Sequence, residues 1–452
     1  MKLYNSLTNQ KEELIPDASN VIKMYSCGPT VYYYAHIGNM RAYLFMDILR
    51  KAMLYNGHDV NLVMNLTDVG HLTSDADEGE DKMAVASKRE NKNPYEIAEF
   101  YSNFYFTQAK KLNIDTPTHV VKATSVIEDI IEFVKGLLAK NYAYETSKGI
   151  YFDVNKFSGY GRLSGIGIDE RKAGARIEVD EEKRHPADFA LWIKAPKEHL
   201  MQWQSPWGMG YPGWHIECST IGKKYLGDSI DIHTGGIDHK TIHHENEIAQ
   251  SDSLEGKQVV KKWMHVEFLQ VDGGKMSKSL NNIYTIDQLE EKGFDALDFR
   301  YFFMTAHYKK QQNFTFDALT SAHNGYKSLK EILKEHKNAE TVTDKEKLEN
   351  YEKQFLDAIN DDLNMPLALS VVWNMVKEPR SKDIYNLALK FNKVLSLNFE
   401  DEIPQEIKDI AEERLIARQE KNWAKSDELR ERLKTLGYEI KDSKDGYSLN
   451  KI

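Results

Sequence analysis

The stretch that decides the fold is residues 21–67, which read VIKMYSCGPTVYYYAHIGNMRAYLFMDILRKAMLYNGHDVNLVMNLT. VIKMYSC and DVNLVMNLT are short β-prone runs, and the segment between them carries apolar residues at helical spacing up to Gly57. A strand, a loop, a helix and a second strand form the opening of an open parallel α/β sheet. Because such sheets bind ligands at the carboxyl ends of their strands, Cys27 and Thr67 are expected at a binding edge.

Two cysteines, a histidine and a glutamate form a candidate metal set. Cys27 and Cys218 are the chain's only cysteines, and they lie in the segments YSCGPTVYYYAHIGNMR and PGWHIECS. His243 and Glu247 are four residues apart, so in a helix both side chains leave the same face. Two thiols, an imidazole and a carboxylate suit a tetrahedral zinc ion. The alternative is a pair of structural cysteines beside a surface helix, since the spacing matches no zinc-finger pattern.

The composition is that of a multidomain globular protein. Of the 452 residues, 41% are hydrophobic and 29% are charged, and the length predicts three or four units. No apolar run reaches the roughly 18 residues that cross a bilayer, and the N-terminal segment is too polar for a signal peptide. Two cysteines favour a reducing compartment, so we predict a cytoplasmic protein without a membrane partner. The net charge of −10 argues against nucleic-acid binding by charge alone, but it permits a local basic face.

The chain is predicted to place an insertion within an open parallel, Rossmann-like catalytic sheet, followed by a helical bundle and a small C-terminal segment. The apolar positions Leu319, Ala322, Tyr326, Leu329 and Leu333 step by three and four, which indicates a bundle helix. The predicted segments are the first half of the sheet domain (1–110), an inserted connective subdomain (111–200), the second half of the sheet domain (201–274), a loop and connecting region (275–312), the helical bundle (313–403) and the C-terminal segment (404–452).

Two short motifs are suited to binding a polyphosphate. HIGN, residues 36–39, lies where the first loop meets its helix, and a helix N-terminus with a glycine is a ready anion site. KMSKS, residues 275–279, follows two glycines and suits a loop that closes on a polyphosphate and neutralises its charge. Each motif alone is also compatible with an ordinary surface turn.

Together, HIGN after the first strand and KMSKS after a late strand are similar to the paired signature of class I aminoacyl-tRNA synthetases. The resemblance narrows to the cysteinyl-tRNA synthetase family, because the family's segments occur here in order over nearly the whole chain. These segments are CGPTVY, NLTDVGH, DFALW, SPWGMGYPGWHIECS, GGIDHKTIHHENEIAQS and KMSKSLNN.

The resemblance implies specific roles. The zinc ligands, one ion per chain, would be Cys27, Cys218, His243 and Glu247. The cysteine substrate would be contacted by Cys27, Thr67, Trp214 and His215. ATP, supplied with Mg²⁺, would be bound by His36, Gly38, Asn39, Gly235, Gly236, Asp238 and Lys278. The catalytic residues would be His36, Asn39, Lys275 and Lys278.

The implied reaction is ATP-dependent activation of L-cysteine and its transfer to tRNA(Cys) by a monomer. Zinc would read the substrate's thiol, since serine's hydroxyl is a harder and far less acidic ligand. The substrate's sulfur would become a fifth ligand or displace Glu247, and editing would be unnecessary.

Some positions depart from the family's pattern. Asn39 replaces a histidine, Thr241 and Ile242 replace Phe–Pro, and Tyr211 replaces an arginine. The tail also lacks a tryptophan expected near its end. Tyr211 is expected to alter contacts around the pocket mouth or the tRNA acceptor end.

Two other functions remain open from the sequence. One is a zinc-dependent ligase that transfers cysteine to an amino-sugar, which would have no use for an anticodon-binding segment. The other is a non-catalytic RNA-binding homologue, which would be favoured by loss of His36, Lys275 or Lys278, and all three are present.

Overall fold

The computed structural model describes residues 1–70, 81–168, 182–197, 199–274, 276, 282–399, 404–443 and 446–451. These residues fall into two compact units, Met1–Leu397 and Asn398–Ile452. The six segments predicted above divide the chain more finely than these two units, and their bounds stay predictions. No helix in the described residues combines the length and apolarity needed to span a membrane.

The strands are β1 Lys2–Asn5, β2 Gln10–Glu13, β3 Val21–Ser26, β4 Asp59–Leu66, β5 His119–Lys122, β6 Ala143–Glu145, β7 Gly149–Phe152, β8 Phe189–Lys194, β9 Trp203–Ser205, β10 Gly208–Pro212, β11 Ile230–Gly236, β12 Val260–Val266, β13 Leu269–Val271, β14 Gln312–Phe314, β15 Tyr438–Ser443 and β16 Gly446–Lys451. The helices are α1 Ile37–Tyr55, α2 Lys82–Glu90, α3 Pro94–Lys111, α4 Ile127–Ala139, α5 Ile216–Leu226, α6 His243–Glu255, α7 Ile286–Glu291, α8 Ala296–Met304, α9 Phe316–Lys337, α10 Lys345–Asn360, α11 Met365–Met375, α12 Lys382–Leu395, α13 Gln405–Gln419 and α14 Trp423–Thr435.

The central sheet has the order β12-β11-β3-β4-β5, and all of its neighbouring strands are parallel. The predicted open parallel sheet is therefore confirmed. Cys27 follows β3, Thr67 follows β4, and Gly235 and Gly236 end β11. Because parallel strands bring their carboxyl ends to one edge, residues distant in sequence meet there.

The last strand of the central sheet in chain order is β12, which begins at Val260 and ends at Val266. Lys261 and Lys262 inside β12 pair with Asp231 and Glu12, so charged side chains obscured the apolar pattern of the strand. β13 then pairs with β14 and lies outside the central sheet.

Helix α1 follows directly from its sequence. The His36 side chain accepts a hydrogen bond from the Asn39 N–H, and the Asn39 side chain accepts one from the His36 N–H, which closes a capping box. Asparagine can close this box as the N3 residue, which accounts for its place in the motif. Arg41 is buried on α1 and donates to the carbonyl oxygens of Glu267 and Lys310, so the helix is anchored to the chain that follows β12.

The inserted part forms an antiparallel sheet with the order β6-β7-β8-β10-β9. Its last strand in sequence, β10, leads within four residues into α5, which carries Cys218. The insertion therefore sets where α5, the helix that carries Cys218, begins.

The rest of the chain is helical, as predicted. The five apolar positions predicted to form a stripe on α9 are all buried. In the second unit, α13 and α14 pack with the antiparallel hairpin β15–β16, and the predicted C-terminal hairpin is confirmed.

Candidate active site

The structure brings the four predicted zinc ligands together. One donor atom from each of Cys27, Cys218, His243 and Glu247 lies within 4.8 Å of all the others, and every one of these side chains is buried. We call this set the four-donor cluster. Cys27 comes from the end of β3, Cys218 from the first half of α5, and the other two from successive turns at the start of α6.

Two of the donor distances within the cluster match those around a tetrahedral ion, and the distance between His243 and Glu247 is shorter. Zinc bonds of about 2.0–2.3 Å separate tetrahedral donor atoms by roughly 3.3–3.8 Å. His243 Nε2 lies 3.0 Å from Glu247 Oε1, and Cys218 Sγ lies 3.6 Å from His243 Nε2. Cys27 Sγ lies 3.7 Å from Glu247 Oε1. The donor set and its spacing therefore suit zinc.

The electrostatics of the cluster also favour a cation. Burial raises the pKa of the Glu247 carboxyl and of the Cys27 thiol well above their usual ranges. A hydrogen bond with Cys27 lowers the pKa of the Cys218 thiol to about 7. Within the described residues, the ion pairs of Glu247 are with histidines only. A divalent cation would supply the positive charge that lysine and arginine do not provide here.

Sequence reasoning missed a second set of donors beside the first. His233 and His244 share Cys27 and Glu247 with the four-donor cluster and form another group of four close donor atoms. Cys27 Sγ lies 3.1 Å from His244 Nε2 and 3.5 Å from His233 Nε2. Burial lowers the pKa of both imidazoles, so both are neutral. The doubled histidine of IHHEN was the available signal, since His243 and His244 both lie within one turn of Glu247.

Further side chains orient the cluster. His215 Nδ1 lies 2.8 Å from His243 Nδ1, which leaves His243 Nε2 directed at Glu247 and Cys218. Such a contact on the second ring nitrogen fixes the orientation of a metal-binding imidazole. The Trp214 ring lies 5.0 Å from the His243 ring. Thr67 is buried, and its hydroxyl donates to Glu217 at 2.7 Å.

A cleft with a volume of about 550 Å³ adjoins the cluster. The predicted ATP residues that the structure describes lie along this cleft, and so do two of the predicted cysteine contacts. They are His36, Gly38, Asn39, Gly235, Gly236 and Asp238 for ATP, and Cys27 and Trp214 for cysteine. Thr67 and His215 are buried, with 1% of each residue exposed.

The KMSKS segment falls largely outside the described residues, and Lys275 and Lys278 are among those not described. Met276 is described, and it lines the cleft. A Cβ atom at Gly38 would lie 2.1 Å from Met276 Cε, so the glycine of HIGN permits this close approach.

The departures from the family's pattern have local explanations. Tyr211 is buried and stacks on His199, with ring centroids 4.3 Å apart and planes 9° apart. His199 Nε2 lies 2.9 Å from Asp81, which caps α2. The Thr241 hydroxyl donates to the Asp238 carbonyl at 3.3 Å, and the Ile242 carbonyl accepts from the Asn246 N–H in α6 at 2.9 Å.

Solved structures with a similar fold include aminoacyl-tRNA synthetases. The methionyl-tRNA synthetase of Mycobacterium tuberculosis, solved with methionyl-adenylate, aligns with a TM-score of 0.61 at 15% identity, over 83% of this chain and 88% of that one. The agnB2 LeuRS of Agrobacterium radiobacter K84, in a ternary complex with tRNA and LeuAMS, aligns with a TM-score of 0.61 at 10% identity, over 84% of each chain. The catalytic sheet and its helices therefore have the class I aminoacyl-tRNA synthetase fold.

Sequence comparison gives the family within that class. A family model described as the class I (C) tRNA synthetase catalytic domain matches residues 14–324, and one described as the cysteinyl-tRNA ligase anticodon binding domain matches residues 400–447. The cysteine–tRNA ligase of Treponema denticola is 41% identical in an alignment of 480 positions that covers 98% of each chain. The chain belongs to the cysteinyl-tRNA synthetase family of aminoacyl-tRNA ligases.

Proposed function

We propose that this enzyme activates L-cysteine with ATP and Mg²⁺, transfers the cysteinyl group to tRNA(Cys), and distinguishes its amino acid through a zinc ion. The observation that carries this proposal is the position of Cys27. Its thiol belongs to the four-donor cluster, and the same residue lines the cleft that HIGN and the glycines of β11 border. The proposed metal site and the proposed nucleotide cleft thus meet at Cys27.

On the amino-acid side, Cys27, Cys218, His243 and Glu247 would hold the ion. Zinc, when bound, supplies a Lewis acid that prefers sulfur to a hydroxyl oxygen, which separates cysteine from serine. His215 orients His243, and the indole of Trp214 covers the imidazole on the cleft side. The buried surroundings exclude water, which makes the loss of a sulfur contact costly to a competing substrate.

On the nucleotide side, the N-terminus of α1 faces the cleft and attracts the phosphates. His36 Nδ1 accepts the capping hydrogen bond, so the neutral ring carries its proton on Nε2 and can donate it toward an oxygen of the α-phosphate. Gly235 and Gly236 bring the backbone to the wall of the cleft, where a ribose can lie against it, and the Asp238 carboxylate is suited to accept from its hydroxyls. Lys275 and Lys278 would neutralise charge as the cysteine carboxylate attacks the α-phosphorus and pyrophosphate leaves.

The C-terminal unit supports tRNA as the acceptor. Residues 400–447 match the anticodon binding domain, and the Trp423 side chain there is 59% exposed, so it offers a ring on which an anticodon base can stack. This unit disfavours transfer to an amino-sugar, which would need no such domain. Each chain supplies all four donors and the cleft, and its two cysteines are buried and free, which fits a cytoplasmic monomer.

The test is cysteine-dependent pyrophosphate exchange, followed by charging of tRNA(Cys). We expect exchange with cysteine and none above background with serine, and Lys278→Ala should slow exchange by about 10²–10³-fold without changing the KM for cysteine. A non-catalytic homologue would fail the exchange assay. An amino-sugar ligase would pass the exchange assay and fail to charge tRNA.

A further inference from the structure

A cluster of aromatic side chains lies beside the catalytic cleft on the loop before α1 and on α3. Tyr34 stands edge-on to Phe104 at 4.8 Å, to Tyr101 at 5.0 Å and to Phe100 at 6.1 Å. Tyr33 stacks on Tyr101 at 6.3 Å. We call Tyr33, Tyr34, Phe100, Tyr101 and Phe104 the aromatic rim.

The rim is partly open to solvent, which is unusual for so many large apolar groups in one place. Tyr34 and Phe100 are each 39% exposed, and Tyr95 on the same helix is 54% exposed. Val85 on the neighbouring helix α2 is also exposed. Clustered exposed apolar surface on a folded protein commonly marks a binding site.

Cations accompany these rings. Lys92 Nζ lies 4.5 Å from the centre of the Phe100 ring, and the Arg89 guanidinium lies 5.0 Å from the centre of the Tyr33 ring. Arg89 is held in place by Tyr101 and Glu90. Lys92 forms no ion pair within the described part of the chain. Rings that offer faces to bases, beside cations that offer charge to phosphates, are the means by which proteins bind single-stranded nucleic acid.

The rim is continuous with the cleft. Tyr33 and Tyr101 line the cleft, and both belong to the rim. If the enzyme esterifies a tRNA, the terminal ribose must enter this cleft, and the unpaired nucleotides before it must cross the cleft's edge. A negatively charged single strand with stackable bases fits this surface better than an apolar protein segment does, because lysine and arginine stand over the rings.

We propose that the aromatic rim binds the unpaired 3′ end of the tRNA, with bases stacked on Tyr34 and Phe100 and a phosphate near Lys92. This inference rests on the proposed function and adds to it the path of the acceptor strand. Tyr34, Phe100 and Lys92 lie outside the cleft lining, so they should serve transfer and leave adenylate formation unaffected.

The test compares two reactions of the full-length enzyme. Phe100→Ala should raise the KM for tRNA(Cys) in charging by about tenfold and leave cysteine-dependent pyrophosphate exchange unchanged. Phe100→Tyr should behave as the parent enzyme, whereas Phe100→Leu should behave as Phe100→Ala, because stacking needs a ring. Leu367→Ala removes a similarly exposed apolar side chain from α11 and should change neither reaction.

Binding of truncated tRNA distinguishes the 3′ end from other contacts. Phe100→Ala should weaken the binding of intact tRNA(Cys) about tenfold and should not weaken the binding of tRNA that lacks its unpaired 3′ nucleotides. Equal losses with both tRNAs, or an unchanged KM for tRNA, would overturn the proposal, and an unchanged KM would leave a protein partner as the occupant of the rim. Failure of the proposed function is recognised separately, because the unmodified enzyme would then lack cysteine-dependent exchange.

Discussion

Two buried clusters of ionisable groups lie in the catalytic unit, and they differ in how their charge is balanced. The first, which we call the Arg300 cluster, consists of Asp47, Lys51 and Arg300. Arg300 donates to Asp47 at 2.7 Å, and Lys51 donates to the same oxygen at 2.9 Å. The backbone carbonyls of Leu395, Leu112 and Asn113 accept the other Arg300 hydrogen bonds.

The four-donor cluster has the opposite character. It gathers two thiols and a carboxylate with one imidazole, no lysine or arginine belongs to it, and burial raises the pKa of Cys27 and Glu247. The Arg300 cluster is complete with protein groups alone, so its role is to fasten α1 to α8 and to the end of α12. The four-donor cluster would be completed by the proposed metal ion, so its proposed role is chemical. Substitution of a single residue should therefore have different consequences in the two clusters.

The largest effect is expected for Cys218→Ser. A serine hydroxyl stays protonated near neutral pH and is a poor zinc ligand, so the variant should lose its metal. Substitution of a residue that hydrogen-bonds to a metal ligand typically reduces metal affinity or activity by about 10–100-fold. Loss of a ligand itself should therefore reduce cysteine-dependent exchange by about a thousandfold or more. Metal content by elemental analysis and the exchange rate are the two measurements.

The matched control for that variant lies on the same helix. Ser219 follows Cys218, and its hydroxyl donates to Gln250 outside the metal set. Ser219→Ala should keep one zinc per chain. If Cys218→Ser also kept its zinc, the four-donor cluster as described would be wrong, and the neighbouring set with His233 and His244 would be the metal site.

The next effect is on stability. Arg300→Met leaves Asp47 buried with one cation removed, which should lower the free energy of unfolding by about 3–5 kcal/mol. Zinc content should stay at one per chain, because α8 carries no donor of the four-donor cluster. The urea midpoint, followed by tryptophan fluorescence, measures the loss.

A surface pair provides the control for this loss. Arg380 donates to Glu335 at 2.6 Å, and their side chains are 42% and 60% exposed. Arg380→Met should cost less than about 1 kcal/mol because solvent screens the pair. Equal effects of the two arginine variants would show that burial does not set the strength of the Arg300 cluster.

The two clusters also differ in how far the sequence revealed them. The four zinc donors could be proposed because cysteine is rare in this chain and because His243 and Glu247 have helical spacing. In the Arg300 cluster only the pair Asp47 and Lys51, four residues apart on α1, has a local signal. Arg300 is 253 residues from Asp47, and no local pattern predicts such a pairing.

The same reasoning explains what else was found or missed. The parallel sheet and α1 were predictable, because apolar periodicity and the capping residues act within a few positions. His233 reaches Cys27 only because β11 and β3 are paired in the sheet, so its position depends on strand order. The aromatic rim depends on the packing of α3 against the loop before α1, which the spacing of tyrosines in YYY does not reveal.

The smallest effect separates the clusters by their response to pH. Burial raises the pKa of the Cys27 thiol well above its usual value in the metal-free protein, so the thiol holds its proton near neutral pH, and burial also raises the pKa of Glu247. Zinc binds the deprotonated forms, and lowering the pH favours the protonated ones, so zinc affinity should fall as the pH falls. With the Cys27 proton displaced throughout, and the Cys218 thiol also protonated below its pKa of about 7, the loss should be at least about tenfold per pH unit between roughly pH 8 and pH 6.

Competition with a chelator at several pH values measures this slope, and calorimetry in buffers of different ionisation enthalpy counts the protons released. Ser219→Ala should show the same slope as the parent enzyme, because it leaves the four donors intact. A zinc affinity independent of pH would mean that the thiol and carboxylate are already ionised without metal. The four-donor cluster would then hold its negative charge unaided, and the contrast with the Arg300 cluster, whose carboxylate is balanced by Arg300 and Lys51, would disappear.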